Sequence, residues 1–382
     1  MKVNDIHHIC IALCITSMLS LSACSDDDGQ DTRQLGQRQM SLTLCPQQLQ
    51  ATPSSLTRAL PFGYETLNTP SRYARIWTFI APQEGADAIT RIFSLDMNGA
   101  SWQSNLTLSD TSNPYYIYGF TPTGTDTSSD IAIDQLPGHT GYAAGAQLTI
   151  RNLQAVTAQD PCVIVGVKKG DGSNTPINDI DIRLGNFSYK FADTVENEYA
   201  YLLLNHLFGA FHFEMKINET YAQLRTIVIK SMRLTALAPS TVQTIVTLTT
   251  TANGTTPLVG DNAIQFTTPD AATEGTPFTL YETSSGTDEP LSLTTSYQPI
   301  RSEAIYIAPS IQNFRLTTLY DVYDRNGNLI RKDCTADNTF SMSHLYSELK
   351  PGYRHTIHIE VNPTFLYVLS EPDLDSPTFT VE

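Results

Sequence analysis

The residue with the clearest chemical role in this sequence is Cys24, because of the residues that precede it. A short apolar run, Ile9–Leu21, follows a lysine near the start, and the small residues Ser22 and Ala23 come just before the cysteine. This order of charged, apolar and small residues is typical of a secretory signal. The run is too short to cross a bilayer core of roughly 30 Å as a helix. We therefore predict that residues 1–23 are a signal peptide.

The segment Leu21–Cys24, LSAC, resembles the lipobox of bacterial lipoproteins. The resemblance implies that the Cys24 thiol takes a diacylglycerol, that the chain is cut before it, and that the new amine is acylated. Several acyl chains anchor a protein stably where one is marginal. The acidic run Ser25–Asp28 resembles the surface-export signal of Bacteroidota lipoproteins, and it also suits a solvated linker. The alternative is an ordinary signal peptide that is cut elsewhere, with Cys24 incidental.

No set of residues in the sequence predicts catalysis or cofactor binding. The chain lacks a G-x-S-x-G elbow, an H-E-x-x-H pair and the glycine patterns of nucleotide-binding loops. His206, among leucines, is predicted to be structural rather than catalytic. His355 and His358 are three residues apart on a predicted strand, so they should face opposite sides and cannot share a metal. We expect a protein that is not an enzyme, with no cofactor and no metal site.

A polar segment near the C-terminal third imitates a calcium loop. Asp324, Asn326 and Asn328 have the spacing of the first ligands, but the glycine is in the fourth place and no Glu is in the twelfth. The dipeptide Asn326-Gly327 instead predicts the tight turn of a β-hairpin.

The cysteines beyond Cys24 do not indicate a disulfide framework or a zinc site. Cys45, Cys162 and Cys334 are widely spaced, with no CxxC pair. Cys162 lies in the apolar run PCVIVGV, so we predict a thiol buried in a strand. Whether Cys162 and Cys334 pair stays open.

Composition favours strands and argues against nucleic acid as a partner. The chain has 382 residues and a formal charge of −16, and binding to nucleic acid depends on neutralising phosphates. Only 16% of residues are charged, Thr and Tyr are common, and 21 Gly and 21 Pro punctuate the sequence. These features predict an all-β protein built from sandwiches.

Alternating and turn-bounded segments predict the individual strands. Ile89–Gly99 and Ser101–Leu108 flank an Asn-Gly turn and predict a hairpin. Within Phe211–Asn218 the alternation is complete, and it predicts one apolar face that consists of Phe211, Phe213, Met215 and Ile217.

The predicted domains follow from these segments. We assign residues 24–58 to a tether and removable first strand, 59–195 to an N-terminal β-sandwich, and 196–382 to a C-terminal β-sandwich with a terminal donor segment. Brief helical character is confined to residues 197–209 and 343–350.

The two ends of the mature chain carry the features that predict assembly. Met40, Leu42 and Leu44 alternate with polar residues and predict a half-buried strand, which a Pro-, Ser- and Gln-rich linker containing Arg58 joins to the body. A cut in that linker would release the strand and leave unpaired backbone groups in a sheet. An extended strand from another copy could fill the gap, and repetition of this contact gives a fibre.

With these features in place, the sequence resembles the fimbrillin family, the type V pilins of Bacteroidota. The resemblance covers essentially the whole chain and includes the segments YYIYGFTP, LNHLFGAFHFEM and LKPGYRHTIHIEVNPTFLYVLSEPDLDSPTFTVE. It is strongest in the last 35 residues. It implies two transthyretin-like, Greek-key β-sandwich domains in tandem. It also implies a lipoprotein of the outer membrane that a trypsin-like or Arg-specific protease cuts at Arg58–Ala59. Residues 193–195 resemble a Bacteroidota O-glycosylation acceptor, and whether Thr194 is glycosylated stays open.

The resemblance further implies polymerisation by donor-strand exchange, with self and accessory pilins as partners. The leaving strand would be Met40–Leu44. The donor would be the C-terminal segments that carry Phe365, Tyr367, Leu369, Phe379 and Val381.

The predicted function is that of a structural subunit of a surface pilus that supports adhesion. An anchor or tip subunit of the pilus, and a surface glycan-binding lipoprotein, are alternatives. Exposed aromatic residues would favour glycan binding, but Trp77 and Trp102 lie in strand patterns that indicate core positions. The segments at the two ends are also consistent with ordinary strands that stay in their own sheets and are neither released nor donated.

Overall fold

A computed structural model provides the structure of the chain. The chain divides into two units, Met1–Gln37 and Arg38–Glu382, and every described residue lies in the second unit. Among the described residues, no helix is long and apolar enough to cross a membrane. The described residues are 41–48, 60–61, 73–80, 89–94, 102–104, 113–123, 130–170, 185–190, 197–250, 264–267, 274–283, 290–342, 351–363 and 372–381.

The regular structure of this part of the chain is almost entirely β, as the composition predicts. The one helix among the described residues, α1 (Glu219–Ala222), begins where the Asn218 side chain accepts a hydrogen bond from the Thr220 amide. The strands are β1 (Ser41–Gln48), β2 (Leu60–Pro61), β3 (Tyr73–Ile80), β4 (Ile89–Ser94), β5 (Trp102–Ser104), β6 (Tyr115–Thr123), β7 (Ile131–Gln135), β8 (Gly145–Gln154), β9 (Val156–Thr157), β10 (Cys162–Gly170), β11 (Ser188–Tyr189), β12 (Asn197–His206), β13 (Gly209–Ile217), β14 (Arg225–Ala236), β15 (Thr241–Thr249), β16 (Ile264–Thr267), β17 (Phe278–Glu282), β18 (Leu291–Ser292), β19 (Gln298–Pro299), β20 (Ile305–Ile307), β21 (Asn313–Asp324), β22 (Leu329–Ser341), β23 (Tyr353–Pro363) and β24 (Pro372–Val381).

These strands form four sheets. Sheet A has the order β4-β3-β6-β10-β12-β1-β5, with β11 beside β6. Sheet B has the order β2-β23-β13-β20-β9, and β24 and β19 add to β23 and β13. Sheet C has the order β16-β15-β8-β7, and sheet D has the order β17-β14-β21-β22 with β18 beside β14. Tandem transthyretin-like sandwiches stay a prediction.

Strands from both sides of the predicted 195/196 boundary share sheets. In sheet A, β12 pairs with β10 and β1, and in sheet C, β15 pairs with β8. In sheet B, β2 and β9 from the first half pair with β23 and β20. The boundary itself lies outside the described residues, and the division into two domains remains a prediction.

The core follows the period-2 pattern where that pattern is clean. In β13, Phe211, Phe213, Met215 and Ile217 are all at most 2% exposed, whereas the residues between them are half-buried, so the predicted face is confirmed. Buried apolar side chains from Trp77 to Val361 form one cluster. Its largest fully buried members are Tyr115, Tyr118, Tyr189, Tyr221, Tyr306, Phe187, Phe208, Phe211 and Phe314.

The hairpin predicted at Asn326-Gly327 is confirmed. Strands β21 and β22 pair antiparallel on either side of it, and Gly327 has a φ of +80° that suits glycine. Asp324 accepts hydrogen bonds from the amides of Asn326 and Asn328, both at 2.8 Å, so its carboxylate closes the turn. These bonds, with that from the Asn328 side chain as the largest cause, lower the pKa of Asp324.

Two local predictions were wrong. The brief helical character assigned to residues 197–209 is absent, since Asn197–His206 is a strand that pairs on both edges. The predicted 89–108 hairpin does not pair with itself among the described residues. Instead, β4 pairs with β3 and β5 pairs with β1. In both cases the tertiary partners override a local signal.

Candidate functional site: the terminal strands and their sheet partners

The first described strand, β1, lies between two other strands of sheet A. β1 runs parallel to β12, with Ser41–Gln48 opposite Asn197–Leu204. On its other side β1 runs antiparallel to β5, with Leu42 opposite Ser104 and Leu44 opposite Trp102. Strand β1 therefore connects β5 to the rest of sheet A. Leu42 and Leu44 lie in this strand, and Met40 lies outside the described residues.

The strand beside β1 belongs to the core. In β12, Leu202 and Leu204 are at most 1% exposed, and β10 pairs along its other edge with a bulge between Ile164 and Gly166. Without β1, the β12 edge over Asn197–Leu204 would have no described strand beside it. Unpaired edges of this kind are templates for another extended chain.

The residues that follow the linker lie in a different sheet. Leu60 and Pro61 form β2, which pairs antiparallel with Arg354 and Tyr353 at the start of β23. Of the predicted cleavage site, Arg58 and Ala59 lie outside the described residues.

The last strand lies on the same edge of β23. β24 pairs antiparallel with β23, with Phe379 opposite Ile359 and Val381 opposite Ile357. The register shifts between Glu360 and Asn362, so the ladder is interrupted. β23 is the one strand with which β24 pairs in the described part of the chain. Phe365, Tyr367, Leu369, Cys24 and Thr194 lie outside the described residues.

The face of β13 and β23 opposite the core is polar. Glu214 lies 3.1 Å from His358, and Lys216 lies 3.2 Å from Glu360. The Tyr297 ring stacks on His358 at a centroid distance of 4.2 Å. These pairs are partly exposed and act mainly on cross-strand register.

The two histidines of β23 face opposite sides, as predicted. His355 is 2% exposed and stacks on Phe211 at 5.0 Å, whereas His358 lies on the polar face. Burial lowers the pKa of His355 to about 4. The His355 ring is therefore uncharged at physiological pH and packs as part of the core.

His206 is a buried, hydrogen-bonded residue at the end of β12, and its assignment as structural rather than catalytic stays a prediction. Its Nδ1 lies 2.6 Å from Oδ2 of Asp160 and 3.6 Å from Sγ of Cys162. All three side chains are at most 3% exposed. Cys162 is buried in β10, as predicted, and Cys334 is half-buried in β22, with no disulfide between the two. Asp160 is not among the residues predicted from the sequence, where its position two residues before Cys162 is the one signal that points to it.

A cavity of about 350 Å³ lies near this cluster. Arg75, which is 3% exposed, and the residues on either side of Asp160 contribute to its wall. The lining is Arg75, Phe120, Pro122, Asp130, Ile131, Ile150, Arg151, Asn152, Leu153, Gln154, Thr157, Gln159 and Pro161.

Trp77, one of the two tryptophans considered for stacking on a glycan, is in the core. Trp77 lies in β3 and is 4% exposed, so it presents no ring to a ligand. Trp102 lies in β5, and its side chain is outside the described part of the chain.

Comparison with known proteins gives distant structural similarities only. No protein-family model and no curated protein matches the chain. A fimbrial protein from Bacteroides vulgatus ATCC 8482 is similar at 11% identity and a TM-score of 0.43, over 89% of this chain and 97% of that one. A "putative cell adhesion protein" from Bacteroides fragilis NCTC 9343 is similar at 9% identity and a TM-score of 0.42, over 90% and 97%. Similarity this low identifies neither the family nor the function of the chain.

Proposed function

We propose that this chain is a structural subunit of an adhesive surface pilus. It is exported to the outer membrane as a lipoprotein anchored through Cys24, and a trypsin-like or Arg-specific protease cuts it after Arg58. The cut subunits then polymerise by donor-strand exchange with other pilins. The order of signal, cysteine and acidic run supports the export step.

The observation that carries the proposal is the separation of the segments on either side of the linker. β1 pairs in sheet A, whereas β2 pairs in sheet B. A cut at Arg58–Ala59 lies between them, so β1 can leave with the lipid while β2 stays on β23. Cleavage at this position therefore removes one strand without disturbing the next.

The gap that β1 would leave suits another extended chain. It runs along the eight residues Asn197–Leu204 of β12. The last strand, β24, has ten residues, enough to fill it. Main-chain hydrogen bonds along such a gap give affinity, and alternate side chains give register.

The position of β24 supports its role as donor. In the described part of the chain it pairs with β23 alone, and this ladder is interrupted by a register shift. Such a strand can separate from its sheet at lower cost than a strand that pairs on both edges. In a growing pilus, the β24 segment of one subunit would take the place of β1 in its neighbour.

Two alternatives are less well supported. An anchor subunit would keep its lipid, and the Arg58-containing linker favours a subunit that is cut. A glycan-binding lipoprotein would need exposed stacking rings, and Trp77 is buried.

The test is Arg58→Ala, with Arg38→Ala as the matched control in the tether before β1. We expect Arg58→Ala to keep the protein in the membrane fraction with its lipid and to suppress filaments, whereas Arg38→Ala should behave like the wild type. Metabolic labelling with a palmitate analogue and electron microscopy measure both effects. Normal filaments from the Arg58→Ala strain would refute cleavage at this site.

A further inference from the structure

A buried group of three side chains, Asp160, Cys162 and His206, combines three kinds of metal ligand. Cys162 opens β10 and is the register partner of His206 at the end of β12. Asp160 lies two residues before Cys162. One ligand atom from each residue lies within 4.8 Å of the other two, and the residues are 0%, 0% and 3% exposed.

The spacing of the donors is close to that of a tetrahedral metal site. Zinc bonds of about 2.0–2.3 Å place neighbouring ligand atoms roughly 3.5 Å apart. Sγ of Cys162 is 3.6 Å from Nδ1 of His206, which already matches. Nδ1 is 2.6 Å from Oδ2 of Asp160, a hydrogen bond that a metal would widen by somewhat less than 1 Å.

We propose that Asp160, Cys162 and His206 bind a divalent ion of the zinc class. Oxygen, sulfur and nitrogen donors from Asp, Cys and His are the ligands that Zn²⁺ takes in proteins. A water molecule completes the tetrahedron. The proposal is independent of the pilus assembly that the terminal strands support.

Metal binding requires a proton to leave. The Cys162 thiol releases its proton to become the thiolate ligand. His206 coordinates through Nδ1, so its one ring proton moves from Nδ1, where it is donated to Asp160, to Nε2. Asp160 coordinates as a carboxylate. Binding of one ion therefore releases one proton and breaks the Nδ1–H···Oδ2 hydrogen bond between His206 and Asp160. The affinity for the ion rises with pH, because the thiol loses its proton more readily.

The backbone around the group is held in place. The Leu207 amide donates to the Pro161 carbonyl at 2.8 Å, which fixes the end of β12 against the start of β10. Gly352 lies behind the imidazole, where a Cβ would be 3.5 Å from Cδ2 of His206. Gln159 and Pro161, the neighbours of Asp160, line the cavity of about 350 Å³. Two of the three ligands, Cys162 and His206, lie in paired strands, which favours a preformed site.

The test uses Co²⁺ as a spectroscopic substitute for zinc in the full-length protein. We expect one Co²⁺ per chain, with a thiolate-to-cobalt charge-transfer band that Zn²⁺ abolishes. Cys162→Ser should remove the band, and Cys334→Ser, the matched control at the other cysteine whose side chain the structure describes, should retain it. His206→Gln should weaken Zn²⁺ binding at least roughly tenfold, since even outer-shell partners cost 10–100-fold.

A band that survives in Cys162→Ser would overturn the site, as would a wild-type chain that takes up neither ion. Far-UV circular dichroism checks that each variant folds. A second measurement needs no variant: Zn²⁺ should raise the melting temperature of the wild-type protein relative to EDTA, because an ion bound only by the folded state stabilises it. An unchanged melting temperature would also contradict the proposal.

Discussion

Phe213→Ala tests whether the β13–β23 pair forms the centre of the apolar core. Phe213 is 2% exposed, lies opposite Ile357 of β23, and its carbonyl accepts a hydrogen bond from the Ile300 amide at 2.9 Å. Ile359 and Met215 next to it are fully buried. The Phe213 side chain is therefore enclosed by paired strands. These strands cannot move together to fill the cavity that Phe213→Ala leaves.

The size of the effect follows from this burial. A buried phenylalanine removes about 150–250 Å² from water, worth about 4–6 kcal/mol at 25 cal/mol per Å² as an upper estimate. Measured Phe→Ala changes in cores cost about 3–5 kcal/mol, which includes the cavity left behind. We expect the free energy of unfolding to fall by about 4 kcal/mol. Phe213→Asp should prevent folding, because it adds an unpaired buried charge.

The assay is urea unfolding followed by tryptophan fluorescence and circular dichroism. The matched control is Lys216→Ala on the polar face of the same strand, where the loss of the Glu360 pair should cost at most about 1 kcal/mol. A Phe213→Ala loss below about 1 kcal/mol, or no larger than that of the control, would refute the assignment of this face.

Three further predictions follow from other parts of the chain. Deletion of residues 365–382 removes β24 but none of the residues that the structure describes as buried, of which Val361 is the last, so we expect a folded subunit that cannot form filaments; filaments of ordinary length in electron micrographs would exclude a C-terminal donor. The pKa of His355 falls from 6.5 to about 4 in the folded state, so the unfolded chain binds a proton first. The free energy of unfolding does not depend on this group above about pH 6.5. As the pH falls towards 4, protonation of the unfolded chain lowers it by up to about 3 kcal/mol. His355→Phe should remove this loss in urea titrations, and an unchanged pH dependence would contradict the assignment. Gly145 has a φ of +138°, and a Cβ there would lie 2.1 Å from the Leu248 carbonyl oxygen, so Gly145→Ala should cost more than about 2 kcal/mol. Gly141→Ala, with a φ of +75° and open space, should cost only about 1 kcal/mol, and equal melting temperatures for the two variants would count against the β8–β15 contact.

Elements with one buried face could be predicted from the sequence. β13 alternates without interruption, and a one-residue slip would expose its whole apolar set, so the pattern determines both strand and face. The β21–β22 hairpin was equally clear, because Asn326-Gly327 supplies the positive φ that the turn needs.

Strand partners could not be predicted in the same way. The sequence indicates that residues 40–44 form a strand, but not that β1 lies parallel to β12 and opposite β5. Likewise, β12 combines tyrosines and leucines in a run that suits either a helix or a strand, and its two neighbouring strands decide the outcome. Such choices depend on contacts between residues that are distant in the chain.

The group of Asp160, Cys162 and His206 could not be predicted from the sequence for the same reason. Ligand spacing reveals a metal site when the donors are close together in sequence, as in a CxxC pair. Here His206 lies 44 residues from Cys162, and only the pairing of β10 with β12 brings them together. Cys162 and His206 were therefore assigned separately as core residues, and their shared environment appeared only in the fold.

The N-terminus of the protein sheared from cells tests the central proposal most directly. Mass spectrometry of that material should find chains that begin at Ala59 and carry no lipid, because a cut after Arg58 releases β1 and leaves the body free to assemble. Intact chains that begin at acylated Cys24 would contradict cleavage and strand exchange.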